Sequence, residues 1–111
     1  MNARSVKAKG RRLQNIVRDA LRDAFPSLEQ EDIKSQTMGM TGEDIVLSPI
    51  ARKSIPYSIE CKNQEAVNVW KAYEQAESNC KDYEPLVVIK RNRSKPLVLV
   101  DAEHFVSLHK K

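Results

Sequence analysis

The feature that most constrains this chain is a stripe of apolar residues ended by a proline. Leu13, Ile16, Val17, Ala20, Leu21, Ala24 and Phe25 recur at i, i+3, i+4, i+7, i+8, i+11 and i+12, and Pro26 follows. That spacing is one face of an α-helix, and a proline cannot continue it. A helix so patterned must lay its stripe on something apolar, so the rest of the chain has to supply a sheet or a second helix. At 100° per residue Arg11, Arg18 and Arg22 share one flank, and Asp19 and Asp23 share the other. Gln14 lies at the edge of the stripe and leans toward whatever the helix packs on.

Downstream the period changes from 3.6 to 2. Asp32–Thr37 can form a short edge strand. Met38-Gly39-Met40-Thr41-Gly42 is a glycine-bearing loop, but no Gly-Lys-Ser/Thr follows, so it is not a phosphate loop. Asp44–Ser48 reads as a strand closed by Pro49, Ile50–Pro56 as a turn carrying Arg52 and Lys53, and Tyr57–Lys62 as a second alternating strand. Residues 65–80 repeat apolar side chains at Ala66, Val69, Trp70, Tyr73, Ala76 and Cys80, the pattern of a second amphipathic helix, with Trp70 and Tyr73 assigned to its core side. Pro85–Ile89 is a continuous apolar strand. Lys90–Lys95 is a basic turn, Leu97–Val100 another strand, and Asp101 caps a short last helix with Phe105, Val106 and Leu108. The order is helix, three strands, helix, two strands, short helix. It predicts an α/β (α+β) fold with a mixed sheet and a helix across each face.

At 111 residues this is the length of a single domain, 1–111, with residues 1–8 as a basic arm. No apolar run approaches the roughly 20 residues that span a bilayer, and no secretory apolar core follows the early arginines and lysines. Cys61 and Cys80 form neither a disulfide framework nor a zinc motif. A cytoplasmic location is expected. Charge is unevenly placed. Residues 1–25 hold seven Lys/Arg against two Asp, residues 27–44 five acids against Lys34, and residues 85–111 six basic residues against two acids. Two basic ends around an acidic middle are consistent with a nucleic-acid partner and equally with a solvated surface.

Side chains able to do chemistry converge on two strands. Ser58, Glu60 and Lys62 share one face of their strand, while Ile59 and Cys61 share the core face. Burying a Glu and a Lys there for packing alone would be costly. Asp44 opens the preceding strand, and a hairpin brings its carboxylate toward Glu60. Two carboxylates beside an ammonium suit a hard divalent cation such as Mg²⁺ and the stabilisation of charge on a phosphate. An exposed cross-strand ion pair explains the same residues without chemistry.

Gly42-Glu43-Asp44, a hydrophobic strand, a turn and Ile59-Glu60-Cys61-Lys62 together resemble the PD-(D/E)XK nuclease superfamily. With the Lys9-Gly10 pair at the entry to the first helix, the chain looks most like the small archaeal-type and phage Holliday-junction resolvases, or compact virus-type nuclease domains. The resemblance implies a restriction-endonuclease-like core and hydrolysis of DNA phosphodiesters with Mg²⁺, for which Mn²⁺ substitutes. It implies Asp44, Glu60 and Lys62 as the catalytic set, with Asp44, Glu60 and the main-chain carbonyl of Cys61 as metal ligands. It also implies a branched DNA substrate and a homodimer. Two departures stand out. Glu43 precedes the Asp where the family has Pro, and Gln14 stands where the family's first helix has Glu. Gln14 and Gln75 are candidates for supporting the site. Lys9, Arg11, Arg18, Arg52, Lys53, Arg91 and Arg93 are candidates for DNA contact. The competing readings are a non-catalytic nucleic-acid-binding module on a decayed nuclease fold, and a protein-interaction adaptor.

Overall fold

The stripe does form a helix. In the computed structural model, which describes residues 3–37, 40 and 42–111, α1 runs Ala3–Ala24. The residues read as a basic arm are therefore helical from Ala3 onward. Leu13 is fully buried, and Val17, Leu21 and Phe25 pack beside it on the core. Beyond Pro26 a 3₁₀ turn, Gln30–Asp32, leads into β1 (Ile33–Ser35), which pairs antiparallel with β2 (Ile45–Leu47) in the register Ile33↔Leu47.

The stretch Ile50–Pro56 is not a turn. It lies mostly within α2, Pro49–Ser54. Ser48 is its N-cap and accepts a hydrogen bond from the Ala51 amide at 3.2 Å, while Pro49 takes the first helical position. There a missing N–H costs nothing, so Ser-Pro starts this helix as much as it ends the strand. The Ser48 hydroxyl also donates to Asp32 at 2.7 Å, tying α2 to the turn before β1.

β3 (Tyr57–Asn63) and β4 (Glu84–Lys90) are parallel, with Glu60 opposite Val87 and Lys62 opposite Ile89. A parallel pair needs a crossover, and α3 (Val69–Asn79) provides it. This helix starts later than the apolar repeat predicts, because Asn68 caps it by accepting from the Lys71 amide at 3.1 Å. β5 (Leu97–Leu99) returns antiparallel to β4, and α4 (Ala102–Ser107) follows with Asp101 as its N-cap, as predicted.

The single mixed sheet expected from the sequence is instead two, β1-β2 and β3-β4-β5. One backbone hydrogen bond, from the Asp44 amide to the Ile59 carbonyl at 2.8 Å, carries β2 to the edge of β3. The result is a mixed α+β fold. Its larger core lies between α1, α2 and the sheets, around Leu13, Ile33, Ile45, Ile59 and Val88. A smaller one lies under α3, where Ala72 and Ala76, one turn apart, let the helix settle on Val87. Tyr73 packs against this second cluster, but Trp70 does not: it is 79% exposed. Ala72 and Ala76 set the packed face of α3, and at 100° per residue Trp70 lies about 160° from the first and about 120° from the second, so it points outward.

Candidate functional site

β3 has two different faces. Ile59 and Cys61 point into the larger core, as alternation requires. Ser58, Glu60 and Lys62 point the other way, toward α3. There Ser58 is fully buried and Glu60 is 2% exposed.

The structure brings Asp44 and Glu60 together. Asp44 accepts a hydrogen bond from the Cys61 amide at 2.7 Å, which fixes its carboxylate against β3. Glu60 accepts from the side chain of Asn79, near the end of α3, at 2.8 Å. Burial pushes the Glu60 carboxyl up from its ordinary 4.5 to about 7. The Asn79 bond opposes that rise, and the charge of Asp44 and a hydrogen bond shared with it reinforce it, with Lys62 pulling weakly the other way. The Glu60 carboxyl is thus disposed to keep its proton well above the usual carboxylate range. The Cys61 thiol is pushed well up by burial first, then by the same two carboxylates. It is a buried side chain and no nucleophile at neutral pH.

Cys61 contributes through its backbone. Its amide faces Asp44, and the N–H and C=O of one strand residue leave on the same edge. Its carbonyl is therefore directed to the edge where β2 turns away. Lys62, half-buried, lines a hollow of about 210 Å³ together with Gln64, Asn68, Lys71 and Gln75. Gln75 is thus beside Lys62, on the exposed side of α3 that its helical phase gives it.

Gln14 is 7% exposed, as its place on the α1 stripe predicts. Among the described residues two buried side-chain oxygens have no hydrogen-bond partner, Gln14 Oε1 and Ser58 Oγ. Also among the described residues, no three His, Cys, Asp or Glu side chains gather. The acidic pair stands alone. The glycine loop before it falls partly outside the described residues, at Met38, Gly39 and Thr41. Gly42 takes φ +100°, a conformation that L side chains rarely adopt, just before the chain turns into Asp44.

The basic residues divide into free and committed. Arg11, Lys53, Arg91 and Arg93 are exposed. Arg91 and Arg93 belong to the β4–β5 turn, where Arg93 takes φ 64° and the Asn92 amide donates to Glu65 at 2.5 Å. Lys9 is half-buried, and its carbonyl accepts from the Asn63 side chain at 3.0 Å, joining α1 to the end of β3. Arg18 pairs with Asp19 at 2.8 Å and donates to Asn15. Arg22 donates to the carbonyls of Ile33 and Gln30, both at 2.9 Å. Arg52 departs most from the sequence reading. It is mostly buried, ion-paired with Glu43, donates to the Tyr57 carbonyl at 3.0 Å and stacks 4.2 Å over the Tyr83 ring. Arg52 and Arg22 therefore hold the fold rather than face a ligand.

Asn79 is the site residue that sequence reasoning missed. Its signal was present: Ala72, Ala76 and Asn79 lie at i, i+4 and i+7, so the stripe on which α3 packs ends in an amide. Comparison of the chain with protein-family models, curated proteins and solved structures finds no match.

Proposed function

We propose that this chain is a metal-dependent DNA endonuclease of the PD-(D/E)XK kind, with a restriction-endonuclease-like core and a preference for branched DNA. The observation that carries the reading is the placement of Asp44, fixed by the Cys61 amide, beside a buried Glu60 whose carboxyl is pushed up to about 7 by that burial. A buried carboxyl with a second carboxylate beside it is costly to keep for packing, and a hard cation can take the place of its proton.

The donor set fits such an ion. Asp44, Glu60 and the Cys61 carbonyl offer oxygen ligands, which Mg²⁺ prefers and Mn²⁺ accepts. Bound there, the ion would lower the pKa of a water and neutralise charge on the phosphate. The protein's own part is positional. The Cys61 amide fixes Asp44, the Asn79 amide fixes Glu60, and Lys62 brings an ammonium to the same face. Lys62 can orient a water or stabilise charge developing on a phosphate oxygen. Exposed Arg11, Lys53, Arg91 and Arg93 remain to contact a DNA backbone, with Lys9 at the α1–β3 junction.

A specific observation favours a second reading, a DNA-binding module without catalysis. Gln14 supplies an amide in place of a third carboxylate, and its buried Oε1 is unpaired. One assay separates the two. Purified protein is offered four-way junction, nicked, single-stranded and plain duplex DNA with and without Mg²⁺. Mg²⁺-dependent cleavage, greatest on the junction, supports the endonuclease. Binding with no cleavage of any substrate supports the module.

A further inference from the structure

Lys62, Ile89 and Leu97 stand in one row across β3, β4 and β5, because Lys62 is opposite Ile89 and Ile89 opposite Leu97. Residues so paired share a face of the sheet, here the face that carries Glu60. Leu97 is two strands from Lys62, roughly 10 Å at about 4.8 Å per strand. It closes the row and is 51% exposed. There lies an open hollow of about 380 Å³, with Val67, Val69, Ile89 and Leu97 as its apolar lining and Lys90 and Arg91 at its rim. That volume falls in the roughly 300–1,000 Å³ range of small-ligand sites. The hollow adjoins the smaller one at Lys62, since Gln64 and Val67 line both.

Both walls are held. One is the turn between β4 and β5, where the Ser94 hydroxyl and amide both donate to the Arg91 carbonyl, at 3.0 and 3.2 Å. The other is the segment between β3 and α3. Its Gln64 amide donates to the Lys90 carbonyl at 3.0 Å, and the Glu65 carboxylate accepts from the Asn92 amide. Glu65, the acid of the lining, is thus engaged with the opposite wall. The Lys90 ammonium donates to the Arg91 carbonyl at 3.1 Å, which keeps it at the rim. An apolar lining under a cationic rim suits a flat, uncharged ring joined to a phosphate.

We propose that this hollow receives one unpaired nucleobase of a branched DNA, from the strand whose phosphate lies at Asp44, Glu60 and Lys62. The proposal rests on the nuclease reading for its substrate and adds what selects a branch. A base in plain duplex must be unpaired and unstacked before it can enter, whereas an unpaired base at a branch point has already met most of that cost. Phosphate contacts by Lys90 and Arg91 are indifferent to branching, so the preference falls to the base.

The test is binding by fluorescence anisotropy in EDTA, with two four-way junctions. One carries an extra, unpaired thymidine at the crossover, and the other an abasic residue in its place. Wild type should bind the thymidine junction about tenfold tighter, from stacking on the apolar lining. Leu97→Ala, with its fold verified by circular dichroism, should bind both junctions alike, at the abasic level. The wild-type ratio should persist from about 0.1 to about 0.3 M salt, since stacking releases no counterions. Arg91→Ala should weaken both junctions equally and leave the ratio intact. Equal binding of the two junctions by wild type overturns the proposal. So does a Leu97→Ala variant that keeps the tenfold ratio, or a ratio that salt abolishes. Cleavage of the same junctions with Mg²⁺ is scored separately. Cleavage without base dependence removes the base site alone, and base dependence without cleavage removes the nuclease reading alone.

Discussion

The two faces of β3 are built from neighbouring residues and obey opposite rules. On one, Ile59 and Cys61 join an apolar cluster with Leu13, Ile33, Ile45 and Val88. On the other, one residue away in each direction, Ser58 and Glu60 are as deeply buried. There a hydroxyl lacks a partner and a carboxyl carries a raised pKa. The first face lowers the free energy of the folded state. The second raises it, and the cost is tolerable because the first, with α1 and α2 behind it, is so well packed. Where a small fold places polar groups against its own stability, the reason is sought in chemistry.

The sharpest way to break the comparison is to substitute each face separately. Asp44→Ala, Glu60→Ala and Lys62→Ala should each reduce DNA cleavage by about a thousandfold or more while leaving the fold and most DNA binding intact. Ile59→Ala should do the reverse. It should cost about 2–5 kcal/mol of stability in urea unfolding, with cleavage per folded molecule unchanged. Full activity in any of the first three variants would remove that residue from the site.

A second pair contrasts committed and free arginines. Arg52→Ala should lose about 1–3 kcal/mol of stability, since it strands Glu43 and removes a bond to the Tyr57 carbonyl. Arg11→Ala should leave the melting temperature unchanged. It should weaken DNA binding regardless of sequence and reduce the log–log salt slope by about one. Unaltered binding would remove this flank of α1 from the DNA path.

The polar face also makes a prediction about pH. Glu60 holds its proton to about pH 7 when folded, against an ordinary 4.5. Between those values the folded state binds more protons than the unfolded one, so stability falls as pH rises through that window. Thermal melts from pH 4.5 to 7.5 should show that decline, and Glu60→Gln, which has no proton to lose, should flatten it. An identical profile in Glu60→Gln would contradict the assignment. The smallest effect is expected at Gln14. Gln14→Glu should tighten Mg²⁺ in cleavage titrations by a few-fold if the α1 position reaches the ion. Superimposable curves would make it a bystander.

Much of this arrangement was legible in the sequence because it rests on local periodicity. The helix of α1 with buried Leu13 and Gln14, the alternation of β3 and the Asp101 cap follow from spacing alone, although Ile16, Ala20 and Ala24 of the stripe stay exposed. The shared face of Glu60 and Lys62 follows from spacing too. What was not legible depends on partners distant in the chain. Asn79 is named only by the Glu60 it meets across nineteen residues. Arg52 looks like a surface base until Glu43 and Tyr83 close around it. Trp70 fits the apolar repeat, but α3 packs on the face of Ala72 and Ala76, and Trp70 is turned well away from it. The Ser48-Pro49 start of α2 has a local signal, but the same two residues also close a strand, and only packing decides which. The division into two sheets was beyond local pattern, since among the described residues β2 meets β3 through the Asp44–Ile59 backbone bond without forming a ladder with it.

The central proposal is that Asp44 and Glu60 together bind one divalent cation, which takes the place of the Glu60 proton. Titration of Mn²⁺, with free ion counted by its electron paramagnetic resonance signal, tests it without any DNA. Displacing a proton of pKa about 7 should make binding about tenfold tighter at pH 8 than at pH 6. Asp44→Asn and Glu60→Gln should each abolish the site. Absence of binding at either pH, or equal binding in wild type and Glu60→Gln, would contradict it.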